Sequence, residues 1–357
     1  MLRRDRTLHK YLISTSALVT GNYLSEDLSI DLSFPMDTAR VHMKDDPFSR
    51  RFLVVTLDMP PEHAPGVVLA RDQSYFGEVF SILLSIILGK EFKFHGLLET
   101  FGMHRLPNFN FDPNSKYYLP FYNSVPRKDL EFSLTLDKFG LIEPLLLEGT
   151  SVSDEFRKKI IAAGKFYNRA IRIFPNEPEL AYLDLITCGE IISSFYDDEF
   201  TDEELYDDQL LRYFEDIETL QNGRSIVNNI KSRLYQVKRK FTAALLKNLN
   251  DEFFSKYETV GNQGRITREN SEAVIKAGYD LRSLYVHEGL EFGRYVTPHK
   301  NFHNEIVITQ PQGLGQRATR TISGSPSFLG LERIIRFSLL SLINANGVPI
   351  EDRLTIN

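Results

Sequence analysis

The feature that most constrains this chain is a change of hydrophobic period near residue 150. Before it, Leu28, Ile30, Leu32 and Phe34 alternate with Ser29, Asp31 and Ser33, and Phe132, Leu134 and Leu136 alternate with Ser133, Thr135 and Asp137. A period of two predicts half-buried strands. Phe52 to Leu57 and Val67 to Leu69 read as buried strands, Tyr11 to Val19 as a further one, and Gln73 to Leu88 as a helix closed by Gly89. After it the period is helical. A capping spacing of Ser151 with Asp154 opens a helix whose face carries Phe156, Ile160, Ala163, Tyr167, Ala170 and Phe174 until Pro175. Further helices are predicted over Pro178 to Tyr196, with Leu180, Leu183, Ile186, Ile191 and Phe195 inward, and over Arg224 to Leu249, with a stripe from Ile226 to Leu245. Two more follow, over Thr267 to Glu288 and Ser327 to Asn344. The expected fold class is therefore α+β: a mixed α/β domain rich in strands over 1–150, followed by an all-helical domain over 151–357.

A length of 357 residues suits two such domains, and 42% apolar with 25% charged residues suffices for real cores. The single cysteine, Cys188, excludes a disulfide scaffold and a Cys-rich zinc module and points to a reducing compartment. Arg3, Arg4, Arg6 and Lys10 precede an apolar stretch, but Ser14, Thr15 and Ser16 interrupt it and no small-residue cleavage site follows, so it reads as a strand and not a signal peptide. The longest apolar run, Val79 to Leu88, falls short of the roughly 18 residues a membrane span needs. A cytoplasmic protein without a membrane partner is expected. The net charge of −6 announces no nucleic-acid binder, so such a role must come from a local patch.

Several segments stand apart from the regular pattern. Pro107 to Pro126, with Phe109, Phe111, Tyr117, Tyr118, Phe121 and Tyr122, reads as a loop pinned by its rings rather than a base-stacking platform. An acidic insertion over 197–222 holds eleven acidic residues and one arginine, Arg212, between Asp197 and Glu218. A second excursion over 297–326, with Gly313, Gly315, Arg317, Arg320 and Gly324, is too long for an ordinary helix connection and fits a hairpin, a mobile loop or a substrate lid.

Walker A, G-x-S-x-G and H-E-x-x-H are absent. His299 and His303, with Glu305 nearby, lack a further obvious ligand and read as surface histidines, so no metal is expected there.

The informative segment is Tyr279-Asp280-Leu281-Arg282-Ser283-Leu284-Tyr285-Val286-His287-Glu288-Gly289, with an arginine and a histidine separated by four residues near the glycine-closed end of a helix. Together with Glu190 in an otherwise apolar earlier helix, it resembles the R-x4-6-H motif of the HEPN superfamily, most closely its Apea-like branch, over about residues 151–345. The resemblance implies an endoribonuclease that needs neither metal nor other cofactor and acts as a homodimer, with His287 as general acid or base and Arg282 binding phosphate. Glu190, Tyr279 and Ser283 would support them. It also implies a toxin-like effector in bacterial antiviral defence (abortive infection), restrained by a regulatory partner or released by a phage-derived trigger, with residues 1–150 as a possible sensor. Ser283 departs from the Asn, Asp or His that many members carry there, which favours a second reading: a degenerate dimerisation or scaffold module that binds nucleic acid or a partner without cutting. Arg282 pairing with Glu190 inside the bundle, with His287 at a helix end that favours a cation, is the purely structural alternative.

Between Arg224 and Lys247 lie seven basic residues and no acidic ones. Lys231, Lys238, Arg239 and Lys240 on such a helix could follow an RNA backbone. Equally, they could pair with the acidic stretch just before them, which would then lie over the helix as a mimic of RNA.

Overall fold

The structure, a computed structural model, describes residues 7–33, 51–59, 73–100, 103–104, 125–129, 132–146, 152–299 and 301–351. Its architecture is α+β, an antiparallel sheet in the amino-terminal part and helices in the carboxy-terminal part.

The sheet comprises β1 (Thr7–Thr15), β2 (Tyr23–Leu24), β3 (Leu28–Ser33), β4 (Arg51–Met59), β5 (Lys93–Thr100) and β6 (Met103–His104), in the order β2-β3-β4-β1-β5-β6. β1 lies inside the sheet, pairing Tyr11 with Val55 and Ile13 with Leu53 on one side and Tyr11 with Leu97 on the other. One face is covered by α1 (Ser74–Leu88), which is buried almost all round because it is apolar almost all round. Gly77 lets it approach β5: a Cβ there would sit 2.2 Å from the ring of Phe94.

The opposite side of α1 meets α2 (Asp154–Ile173), where a Cβ at Gly164 would lie 2.6 Å from Ile82. α1 is thus shared between sheet and bundle. The apolar core runs without interruption from Tyr11 and Val55 through Phe80 and Ile86 to Ile160, Tyr167 and Leu339, so the change of element type near residue 150 is not a break in the core.

The bundle continues with α3 (Pro178–Ser193), α4 (Asp202–Leu205), α5 (Asp208–Glu218), α6 (Gly223–Arg233), α7 (Val237–Asn248), α8 (Asp251–Ser255), α9 (Arg268–Glu288), α10 (Gly293–Val296), α11 (Gln316–Gly324) and α12 (Phe328–Ala345). α12 is the central helix, buried from Phe328 to Ile343, and it carries Glu332, Arg333 and Arg336 into the interior. Such charges persist inside only when paired. Arg336 Nη1 meets Asp129 at 2.6 Å and donates from Nε and Nη2 to the carbonyls of Ile86 and Ile87, the acceptors that the end of α1 leaves open. Arg127 bridges Glu332 at 2.7 Å and Glu258 at 2.9 Å, and Arg333 meets Glu305 at 3.0 Å. Gly89, at φ 60°, ends α1 against this cluster, where a Cβ would come within 2.9 Å of Arg336 Nε. Burial pushes the Lys90 ammonium down to about 7, helped by the charge of Arg127. Burial alone would raise Asp129, but Arg336, Arg127 and Arg333 outweigh it and hold the carboxyl down to about 2.

Several expected elements differ. Phe132 to Asp137 is no strand: the alternation reports burial, since Phe132, Leu134 and Leu136 point inward, but the segment makes one bridge, Thr20 to Thr135, before a 3-10 helix over Leu136–Leu141. α2 is capped by Ser153, whose side chain accepts from Phe156 N at 3.2 Å, while Ser151 lies outside the described residues, as do Val67 to Leu69 and nearly all of the aromatic segment before Pro126. The helix after Pro178 ends at Ser193, tightens to a 3-10 turn over Ser194–Tyr196, and leaves Leu180 exposed.

The helix expected over Arg224 to Leu249 is two helices, α6 and α7, parted at Leu234 to Gln236 with Gln236 left-handed at φ 46°. The two serve different cores. Val227, Ile230 and Leu234 pack with Tyr206 and Phe214 in a small satellite cluster, whereas Phe241 and Leu245 enter the main core. One straight helix cannot face both, so Ile226 and Val237 of the expected stripe are exposed.

The excursion over 297–326 is tied down by Glu305, which accepts from the amides of Glu258 and Ile266, both at 3.0 Å. Its end forms α11, antiparallel to α9: Arg317 meets Glu288 at 3.2 Å, and Ser325 Oγ donates to the Ala277 carbonyl at 3.2 Å. Among the described residues, no helix is long and apolar enough to cross a membrane.

Candidate functional site

α9 positions the Arg-His pair. It begins with a capping box of Thr267 and Asn270 and ends at Gly289, left-handed at φ 67°, whose N–H donates to the Tyr285 carbonyl. Val274, Ile275, Gly278, Tyr279, Leu281 and Leu284 are buried, which leaves one face turned from the core. Glu272, Lys276, Asp280, Ser283 and His287 follow one another along that face at intervals of three and four residues, and His287 at its end is exposed.

Arg282 lies off this face, toward α3. Its Nη2 stands 3.9 Å from Glu190 Oε1, and its guanidinium lies 5.4 Å from the centroid of the Tyr279 ring. The Tyr279 hydroxyl donates to the same Glu190 oxygen at 2.8 Å. Burial, with that hydrogen bond second, pushes the Tyr279 hydroxyl up to about 12, so it stays a donor throughout the neutral range. Glu190 is thus hydrogen-bonded to the tyrosine and within ion-pair range of the arginine, whose side chain keeps about a third of its surface in solvent. Ser283 Oγ donates back to the Tyr279 carbonyl at 3.4 Å. His287 occupies the last turn, where a cation is favoured, beside the Glu288 that Arg317 engages.

Five residues of helix set the Arg282 and His287 positions about 7.5 Å apart along the axis and about 140° around it. A single α9 thus presents a guanidinium on one flank and an imidazole on another.

The four basic residues expected to hold RNA are all paired. Lys231 meets Asp202, Arg239 meets Asp207 at 3.3 Å, and Lys240 meets Asp197 at 2.7 Å, all three partners belonging to the acidic stretch. Lys238 instead binds both oxygens of Asp280, at 2.6 and 2.7 Å, and so fastens α7 to the exposed face of α9. The pairing of basic helix and acidic stretch, open in the sequence, is present.

His299 is exposed and its Nδ1 accepts from the Asn301 amide at 3.2 Å, while Glu305 is consumed by Arg333 and backbone amides. Among the described residues, no three His, Cys, Asp or Glu side chains gather in a way that could hold a metal ion. What the sequence did not reveal is that α11 would bring Arg317 against the end of α9. Its two arginines carried only the signal of charge in a glycine-rich segment.

Comparison of the chain with protein-family models, with curated proteins and with solved structures returned no match.

Proposed function

We propose that this protein is a metal-independent endoribonuclease of HEPN type, a toxin-like effector of antiviral defence, whose site forms where two copies of α9 meet. The observation that carries the reading is the exposed His287 at the end of the outward face of α9, with Arg282 about 1.4 turns earlier beside Glu190 and Tyr279. In the reaction the ribose 2′-hydroxyl attacks the adjacent phosphorus as the 5′-oxygen leaves. His287 moves the proton, and Arg282 stabilises charge on the phosphoryl oxygens. Glu190, 3.9 Å from the guanidinium, biases it toward α3. The angular separation of the two side chains on α9 and the ease of forming an isologous contact support the dimer.

A second reading has an observation of its own. Ser283 spends its hydroxyl on its own helix, and Arg282 has a carboxylate partner, as a scaffold module would also arrange them. Purified protein separates the two. The nuclease cuts RNA in EDTA and leaves 2′,3′-cyclic phosphate ends, and His287→Ala and Arg282→Ala each lower the rate by roughly 10²–10⁴-fold without loss of helical content. A scaffold cuts nothing under any of these conditions.

A further inference from the structure

The pairing between the acidic stretch and α7 is more specific than neutralised charge. Lys240 and Lys247 stand seven residues apart, about 10.5 Å along the helix and on the same side of it. Between them lies the ring of Phe200, 5.0 Å from Lys247 Nζ and 5.8 Å from Lys240 Nζ. A carboxylate flanks the ring on each lysine: Asp197 at 2.7 Å from Lys240 and Glu204 at 3.3 Å from Lys247. The Tyr196 ring is a second neighbour of Lys247 at 5.8 Å, and Arg239 beside them takes Asp207. Anion, flat ring, anion, laid over a row of cations, is the pattern of a single-stranded polynucleotide on its protein: phosphates on cations and a base against them.

We propose that Arg239, Lys240 and Lys247 form a docking face for single-stranded RNA, which the segment Asp197 to Asp207 occupies as an intramolecular mimic, Phe200 in place of a base and the carboxylates in place of phosphates. The choice of RNA over an acidic protein rests on the ring, since a run of carboxylates alone would satisfy the charges. The charged contacts can exchange while Tyr206 stays anchored in the satellite cluster. The carboxylates of Asp197 and Asp207 are about half exposed or more, and exposed pairs contribute little each. The proposal rests on the nuclease reading only for the fate of the bound strand: RNA held on α7 would be released to α9, to which Lys238 and Asp280 fasten this helix.

The test is a binding measurement on the full chain carrying His287→Ala, so that no RNA is cut. Its affinity for a labelled oligouridylate of about 20 nucleotides is compared with that of the same chain bearing D197N, E204Q and D207N. These changes remove charge but keep the caps: Asp207 accepts from the Leu210 amide and Glu204 completes the box with Thr201, roles that Asn and Gln also fill. The expected result is binding at least tenfold tighter at about 50 mM salt, with a log–log salt slope steeper by roughly 0.7 for each cation released. Adding K240Q and K247Q should abolish the gain. Unchanged affinity, or a gain that survives K240Q and K247Q, overturns the proposal. So does displacement of the RNA by polyglutamate as readily as by unlabelled oligouridylate, which would assign the face to acidic proteins. Because cleavage plays no part, a parent chain that cuts nothing while the binding gain persists refutes only the nuclease reading.

Discussion

The ion pairs along α12 and those along α7 use the same residue types in opposite surroundings. On α12, Arg333 and Arg336 have no solvent exposure, and neither do Glu305 and Asp129 opposite them. On α7, Lys240 and Lys247 keep about a quarter of their surface in water, and their carboxylates keep more. Desolvation makes the first set expensive to assemble and worse to leave half made. Screening makes the second set weak and easily exchanged. The buried set also joins regions far apart in the chain, Arg336 to the end of α1 and to Asp129, whereas the exposed set joins a segment to the helices that follow it. One set fastens the helix that covers the sheet to the bundle; the other shares no residue with it.

The largest effect should come from breaking the buried set. Arg336→Ala leaves Asp129 charged and buried and two carbonyls of α1 without a donor, and should cost about 3–5 kcal/mol in urea unfolding. A loss below about 1 kcal/mol would mean that the cluster fastens nothing. Acid should act on the same set. Asp129 has a folded value near 2 against an ordinary 3.8, so its contribution is fully present above 3.8 and disappears as pH falls through 2. Asp129→Asn should flatten the acid limb of stability between those values, and an unchanged limb would place the titrating groups elsewhere. The smallest effect belongs to the exposed set: Lys247→Gln should change stability by less than about 1 kcal/mol.

What was legible in the sequence follows the same division. The extent of α9 is legible almost to the residue because a helical stripe and a closing glycine agree locally, and the pairing of Arg282 with Glu190 is foreshadowed by an isolated glutamate in an apolar helix. The ends of α1 and α12 were equally plain. The interior pairs of α12 were not, since their partners Arg127, Asp129, Glu258 and Glu305 come from loops with no periodic signal of their own. β5 carries no alternating pattern in the sequence because Gly96 interrupts it at a register shift. The break between α6 and α7 was hidden because the stripe is continuous in sequence, and only the existence of two cores, one with Val227 and one with Phe241, explains why the helix turns.

Mixing two inactive chains tests the central claim most directly. If the site takes Arg282 from one copy of α9 and His287 from the other, Arg282→Ala and His287→Ala should each be nearly inert toward RNA. A mixture of the two, allowed to exchange subunits, should recover a substantial fraction of parental cleavage in the presence of EDTA. Cleavage at parental rate by either variant alone, or a mixture that stays inert although the parent cuts, would contradict a site shared between two copies of α9.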